Sequence, residues 1–370
     1  MAVSRIDPSD RRSVRRFVAL DRELWGHEAL HWSESDAHLA KRFRGRSAFS
    51  SDIDHAMFAL VNDSGHHVGC VVGYVNRRWQ RQRGDKAGFV GNLSFAPGTS
   101  TAEAAELFGA VEGWLREQRA THSICGIDGS GILGYGVLVA DHDVSPMFPI
   151  KWHPPSYAGL IEAAGYLVER RFWIYRVRFD NERYRTTSER VLGEATCRVR
   201  PVDRNNWKAE MVLLTRLFNE TFAEEWEMND LTEEELLESS GQMKPIVDPQ
   251  TWLIAEVDDE PAGLCLGMPD LAPLFRSFRG RMGPLQVVRL LLGAKSIDRH
   301  GLVIVGVRER FRGRHIGQAM ACMLYGYYEQ RGITSALYYS VDDSNRSSRR
   351  LAESLGAEGR VQLHCYRKPL

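Results

Sequence analysis

Between Leu302 and Tyr328 the chain places a short apolar run, an arginine- and glycine-bearing loop and a helical repeat in immediate succession. Leu302-Val303-Ile304-Val305-Gly306-Val307 is apolar and rich in β-branched residues, the pattern of a buried strand. The loop Arg308-Glu309-Arg310-Phe311-Arg312-Gly313-Arg314-His315 follows. Ile316, Met320, Met323, Leu324 and Tyr327 then recur at helical spacing, so a helix opens near Arg314 to Gly317. A strand feeding such a turn leaves the first amides of the helix without partners. Those donors and the positive helix end favour an anion, phosphate above all. Arg312 and Arg314 add charge, and Gly313 and Gly317 allow close backbone approach. The spacing therefore points to capture of a phosphorylated co-substrate.

The elements around this turn occur twice. From Tyr157 to Arg176 and from Ser348 to Arg367, the matches Leu160/Leu351, Glu162/Glu353, Gly165/Gly356, Tyr175/Tyr366 and Arg176/Arg367 share one offset of 191. Met57 to Tyr74 and Trp252 to Met268 each read as two strands around a polar turn, at Asn62–Gly65 and Asp258–Pro261. The chain thus divides into two similar units, 1–180 and 195–370, with Asp180 to Arg190 as linker. In each, an amphipathic helix (Val14 to Leu24; Trp207 to Phe222) precedes the strand pair. A strand, a helix, a strand, a helix ending in Gly and a last strand follow, which describes an α/β unit with a mixed sheet.

Val307-x-x-x-Phe311-Arg312-Gly313-Arg314-His315-Ile316-Gly317 resembles the pyrophosphate motif Arg/Gln-x-x-Gly-x-Gly/Ala of the GNAT N-acetyltransferase superfamily. His315 departs from it, standing where the middle glycine is usual. After the strand Tyr338–Val341, Asn345-Arg346-Ser347-Ser348 opens a helix closing at Leu355-Gly356-Ala357, which is similar to the family's second cofactor element. Trp252-Leu-Ile-Ala-Glu, Met268-Pro269-Asp270 and Trp152-His-Pro-Pro-Ser-Tyr157 extend the resemblance to bacterial proteins with two GNAT-like halves. The resemblance implies tandem GNAT folds and acyl-CoA, by default acetyl-CoA, as co-substrate without a metal. It places Arg312, Gly313, Arg314, His315, Ile316, Gly317 and Asn345 on the cofactor and the amides of Val305 and Val307 on the thioester oxygen. The reaction it implies is acyl transfer to the amine of a small molecule; a catalytically inactive CoA-binding or scaffold protein is the alternative.

That chemistry needs a base for the amine and an acid for the thiolate. The family's Tyr slot falls at Ala352, and the position where some relatives carry a carboxylate holds His300-Gly301. Tyr366, His300 and Glu309 remain as candidates, each against a plainer role: packing for Tyr366, whose counterpart is Tyr175, and surface for the other two. The first unit has no comparable turn. Ser100-Thr101-Ala102-Glu103 reads instead as a capping box that uses the donors a phosphate requires. That unit is expected to have lost CoA binding and to serve as support or as a wall of the acceptor site, with Met147, Phe148, Trp152 and Tyr157 as candidates.

Over 370 residues, 48 basic and 48 acidic side chains balance. Such a chain shows neither the electrostatic footprint of a nucleic-acid binder nor a basic stripe for membranes. Cys70, Cys125, Cys197, Cys265, Cys322 and Cys365 stand far apart with no metal-ligand spacing, as buried free thiols of a reducing compartment do. With a polar N-terminus and no spanning apolar run, a cytoplasmic protein is expected, with no membrane or nucleic-acid partner. The sequence carries no signal for oligomeric state.

Overall fold

The computed structural model describes residues 2–370, apart from the side chains of Ser240, Gln242 and Met243. The first half runs β1 (Ala2–Ile6), α1 (Arg11–Trp25), α2 (Asp36–Phe43), β2 (Ile53–Val61), β3 (His67–Asn76), α3 (Arg77–Arg83), β4 (Ala87–Phe95), α4 (Thr101–Glu117), β5 (His122–Cys125), β6 (Val137–Leu138), α5 (Ser156–Ala163) and β7 (Leu167–Arg178). The second half continues with α6 (Glu182–Gly193), β8 (Arg198–Pro201), α7 (Trp207–Phe222), α8 (Glu233–Met243), β9 (Trp252–Val257), β10 (Glu260–Pro269), α9 (Ala272–Phe278), α10 (Pro284–Gly293), β11 (His300–Val307), α11 (Ile316–Gln330), β12 (Ser335–Asp342), α12 (Arg346–Ser354) and β13 (Glu358–Pro369).

Local signals account for most of these elements. Helix α1 starts on the Asp10 cap and buries Val14, Phe17, Val18 and Leu20 at helical spacing. The β9–β10 hairpin turns on Asp258 and Asp259, both at positive φ, the backbone that a two-residue turn demands and Asp tolerates. The stretch read as the linker carries a helix: α6 is capped by Asn181 and buries Tyr184, Thr187 and Val191. Only one narrow face is covered, so its composition stays polar. The short edge strands β1 and β8 lie outside the anticipated element order.

A single sheet joins both halves in the order β1-β2-β3-β4-β5-β13-β7-β12-β11-β10-β9-β8, with β6 added against β13. The two long strands at its centre are crossed over. β7, which ends the first half, pairs with β12 (Tyr175 opposite Tyr338), and β13 pairs with β5 (Tyr366 opposite Cys125). Neither half completes its sheet with its own last strand, so β7 and β13, antiparallel over most of their length, tie the halves together. Around β10 and β11, the face carrying Cys265 and Val305 packs on α11 through Met320, Leu324 and Tyr328. The face carrying Leu264 and Ile304 packs on α7 through Met211, Leu214 and Phe218.

Candidate active site

The site is made by a divergence of strands. β11 and β12 are parallel and pair only at His300, Gly301 and Leu302 against Ala336, Leu337 and Tyr338. On its other side β11 stays paired with β10 as far as Val307 opposite Gly263. The Arg308 amide donates to the Ala262 carbonyl at 2.9 Å. Alternation along an antiparallel ladder then turns the amides of Val305 and Val307 away from β10, into the gap.

Helix α11 opens at the mouth of that gap. Its first backbone bond runs from the Ala319 amide to the His315 carbonyl at 2.9 Å, so the amides of Ile316, Gly317 and Gln318 precede the intrahelical ladder. Among the described residues, no side chain caps this end. His315 takes the left-handed conformation at φ +57°, which explains why a glycine is usual at such a position. Its exposed ring bonds through Nδ1 to the side chain of Gln318. Gly313, at φ +82°, is open to solvent, and a Cβ on Gly317 would meet Val307 and Val305 at 3.6 and 3.8 Å. Arg312 donates from Nε to the Val307 carbonyl at 3.3 Å, while Arg314 lies over the Phe311 ring at 5.6 Å. Asn345 caps α12 by accepting from the Ser348 amide at 3.0 Å and donates from Nδ2 to Glu225 Oε1 at 2.9 Å. The turn, the strand end and the second element therefore converge, with Arg312 and Asn345 both facing Glu225.

Two of the three proton-transfer candidates are not brought to this place. His300 sits at the far end of β11, on the order of 20 Å from Val307 at ~3.3 Å per residue. It is buried against the Tyr328 ring at 4.8 Å, and burial pushes its imidazole down to about 4. Tyr366 is buried on β13 among Cys125, Cys365 and Glu162, separated from β11 by β7 and β12. Burial raises its phenol. Glu309 does lie in the loop, exposed to solvent.

The structure adds a group that the sequence did not single out. The connection from α7 to α8 folds against the first half: the Gly131 amide donates to the Glu227 carbonyl at 3.1 Å and Trp79 Nε1 to the Trp226 carbonyl at 3.0 Å. This puts the Glu227 side chain 5% exposed, with Oε2 buried and unpartnered. Its surroundings are Glu225 on its own loop, Asp342 at the end of β12, Arg170 on β7, Tyr135 before β6 and Cys365 on β13. Burial, then repulsion from Glu225 and Asp342, lifts its carboxyl to about 8. On the diverging part of β12, Ser340 has φ +39° and a buried hydroxyl facing Tyr135, at an irregularity in the pairing with β7. In sequence, Glu224-Glu225-Trp226-Glu227 is indistinguishable from a solvated acidic loop; only the flanking Trp226 and Met228 hint at burial.

The first half shows the same divergence, closed by side chains. β4 and β5 pair from Ala87 opposite His122 only as far as Val90 opposite Cys125. The Ala96 amide donates to the Val68 carbonyl as that of Arg308 does to Ala262, so Phe95 corresponds to Val307. Here, however, the Phe95 amide donates to the Tyr157 hydroxyl at 2.7 Å, and the Asn92 amide to Asp128 Oδ1 at 2.6 Å. Asp128 is paired with Lys151 at 2.8 Å. At α4, Ser100 and Glu103 form the reciprocal capping box. The amide matching Val307 and the start of the following helix, both open in the second half, are occupied in the first. Tyr157 and Trp152 belong to this inner packing around Trp25, whereas Met147 lies against Gly301 and Phe148 stacks on Phe275 at 5.0 Å.

Residues 211–357 match the family model described as "Acetyltransferase (GNAT) family". The chain is 24% identical over 382 residues to Protein YghO of Escherichia coli, covering 98% of this chain and 94% of that one. It is 24% identical over 275 residues to the bacterial ceramide synthase of Caulobacter vibrioides, covering 71% of each. Among solved structures, a tandem GNAT protein from the clavulanic acid biosynthesis pathway superposes with a TM-score of 0.58 at 10% identity, covering 100% of this chain and 98% of the other. Residues 211–357 thus match the acetyltransferase (GNAT) family model, and the chain as a whole shares its fold with a tandem GNAT protein.

Proposed function

We propose that this chain is an N-acyltransferase that moves an acyl group, by default acetyl, from coenzyme A to the amine of a small molecule. The observation that carries the reading is the pair of free amides, Val305 and Val307, ending at an uncapped helix mouth. The match of residues 211–357 to the GNAT family model supports acyl-CoA as donor. The diphosphate would lie on the amides from Gly313 to Gln318, flanked by Arg312 and Arg314, with Asn345 on the pantetheine side. The thioester oxygen would face Val305 and Val307, donors already oriented for the charge that develops there.

Glu227 is the group we assign to the amine proton. The nitrogen lone pair attacks the thioester carbon and forms the C–N bond while the Glu227 carboxylate takes one N–H proton. Collapse of the tetrahedral intermediate breaks the C–S bond, the thiolate leaves with the electron pair, and the proton on Glu227 returns to it. One residue thus serves as base and then acid, which fits a site lacking the family's tyrosine at Ala352. A bound amine would supply the orphaned oxygen of Glu227 with a partner. In this reading 1–180 and 195–370 are duplicated units, the first supporting and walling the site in the second. The six free cysteines fit action in the cytoplasm.

A second reading of the acceptor, a lipid amine, is favoured by the likeness to a ceramide synthase, since ceramide is an N-acylated lipid amine. The test is release of thiol from acyl-CoA donors of different chain length against a panel including short amines and long-chain amino alcohols. Turnover with any pair supports the reading; tight CoA binding with no turnover would leave the scaffold alternative.

A further inference from the structure

Helix α10 carries a row of apolar side chains that nothing covers. Leu285, Val288 and Leu292, 66%, 51% and 70% exposed, follow one another at helical spacing, and Val287 beside them is 43% exposed. Among the described residues, half of the large hydrophobic side chains left in solvent, four of eight, belong to this ten-residue helix. Only the opposite face is packed, through Leu290, with Ala294 beyond the helix, onto Leu271 and Phe278. Isolated exposed apolar residues are ordinary, but a contiguous helical stripe marks a binding surface.

The charge around the stripe identifies what it meets. From Leu271 to Ile297 the chain has Arg276, Arg279, Arg281, Arg289 and Lys295 and no acidic residue. Equal totals over the whole chain conceal this local excess. Arg279, Arg281, Arg289 and Lys295 are exposed, and none of these four holds a carboxylate among the described residues. A protein partner or a second copy would need an acidic, apolar surface of matching shape. An anionic bilayer supplies both complements at once, apolar acyl chains beneath a negative headgroup layer. Among the described residues no helix is long and apolar enough to cross a membrane, and α10 is of a length to lie in the interface.

We propose that α10 with the adjoining α9–α10 turn docks the protein on anionic lipid surfaces, Leu285, Val288 and Leu292 entering the headgroup boundary and Arg281 and Lys295 contacting phosphates. This surface is separate from the acyl-CoA site and does not depend on it. The experiment is flotation of the full chain with phosphatidylglycerol-containing vesicles and with pure phosphatidylcholine vesicles, beside sedimentation without lipid. Leu285→Ser with Leu292→Ser changes only exposed side chains, so folding and CoA binding are expected to persist, while binding to the anionic vesicles falls by about tenfold or more. Arg281→Gln with Lys295→Gln should reproduce much of that loss, as should raised salt. Equal flotation of the wild type and the leucine variant overturns the proposal. So does absence of wild-type flotation, or a wild-type dimer that the leucine variant converts to monomer without any lipid binding.

Discussion

Replacing Glu227 by Gln keeps the size of the side chain and its capacity to bond while removing its ability to ionise. The carboxyl, ordinarily near 4.5, is lifted to about 8 in the fold. The folded chain therefore holds the proton more tightly than the unfolded one. Below pH 4.5 both states are protonated and the group is neutral in effect. As pH rises from there toward 8 the folded state loses stability relative to the unfolded, reaching on the order of 5 kcal/mol beyond pH 8. Glu227→Gln abolishes this dependence, so the variant should gain thermal stability over the wild type progressively as pH is raised from 5 to 9. Activity should move the opposite way. If Glu227 is the base, wild-type kcat/KM climbs about tenfold per pH unit and levels off near pH 8, and the variant is slower by about 10²- to 10⁴-fold. The assay is thiol released from acyl-CoA with an accepted amine, read across pH beside melting curves and CoA titration. An amine losing its own proton gives a similar slope, but the variant would keep that slope. The reasoning fails if Glu227→Gln, binding CoA normally, works within threefold of the wild type with the same pH profile.

Further outcomes follow from the same geometry. Gly317→Trp should abolish CoA binding by calorimetry with the far-ultraviolet spectrum unchanged, because a Cβ there fits against Val305 and Val307 but a ring would fill the mouth of the gap. His315→Gly removes a left-handed side-chain residue, so it should raise stability by up to ~1 kcal/mol in denaturant titration and leave CoA affinity equal or tighter. Tyr157→Phe should cost about 1–3 kcal/mol per buried group left unpaired, the Phe95 amide foremost, with CoA affinity unaltered. Lys151→Met strands the buried Asp128 carboxylate, and denaturation should show a loss of roughly 3–5 kcal/mol.

What the sequence disclosed was local. The strand 302–307, the turn and helix α11 are legible because apolar periodicity and two glycines specify them within one window, and Trp207–Phe222 is read to its ends. The capping box Ser100/Glu103 is likewise a contact over three residues. What escaped depends on pairing between distant segments. Nothing in β7 or β13 alone says that each completes the other half's sheet, since the two strands are alike and either partner would bury the same faces. Glu227 escaped for the same reason: its burial comes from Gly131 and Trp79, about a hundred residues or more away in the chain. Tyr366 and His300 were suggested by residue type and position, but proton transfer depends on which end of which strand a side chain occupies. The polar α6 shows the converse error, where composition hid a covered face.

Acyl transfer at this site requires coenzyme A to enter the divergence between β11 and β12. A crystal structure with coenzyme A bound measures this directly. It should show the diphosphate on the amides of Gly313 to Gln318, and the sulfur between Val305 and the loop that carries Glu227. A nucleotide seated instead between β4 and β5, or on the outer face of α11, would contradict it.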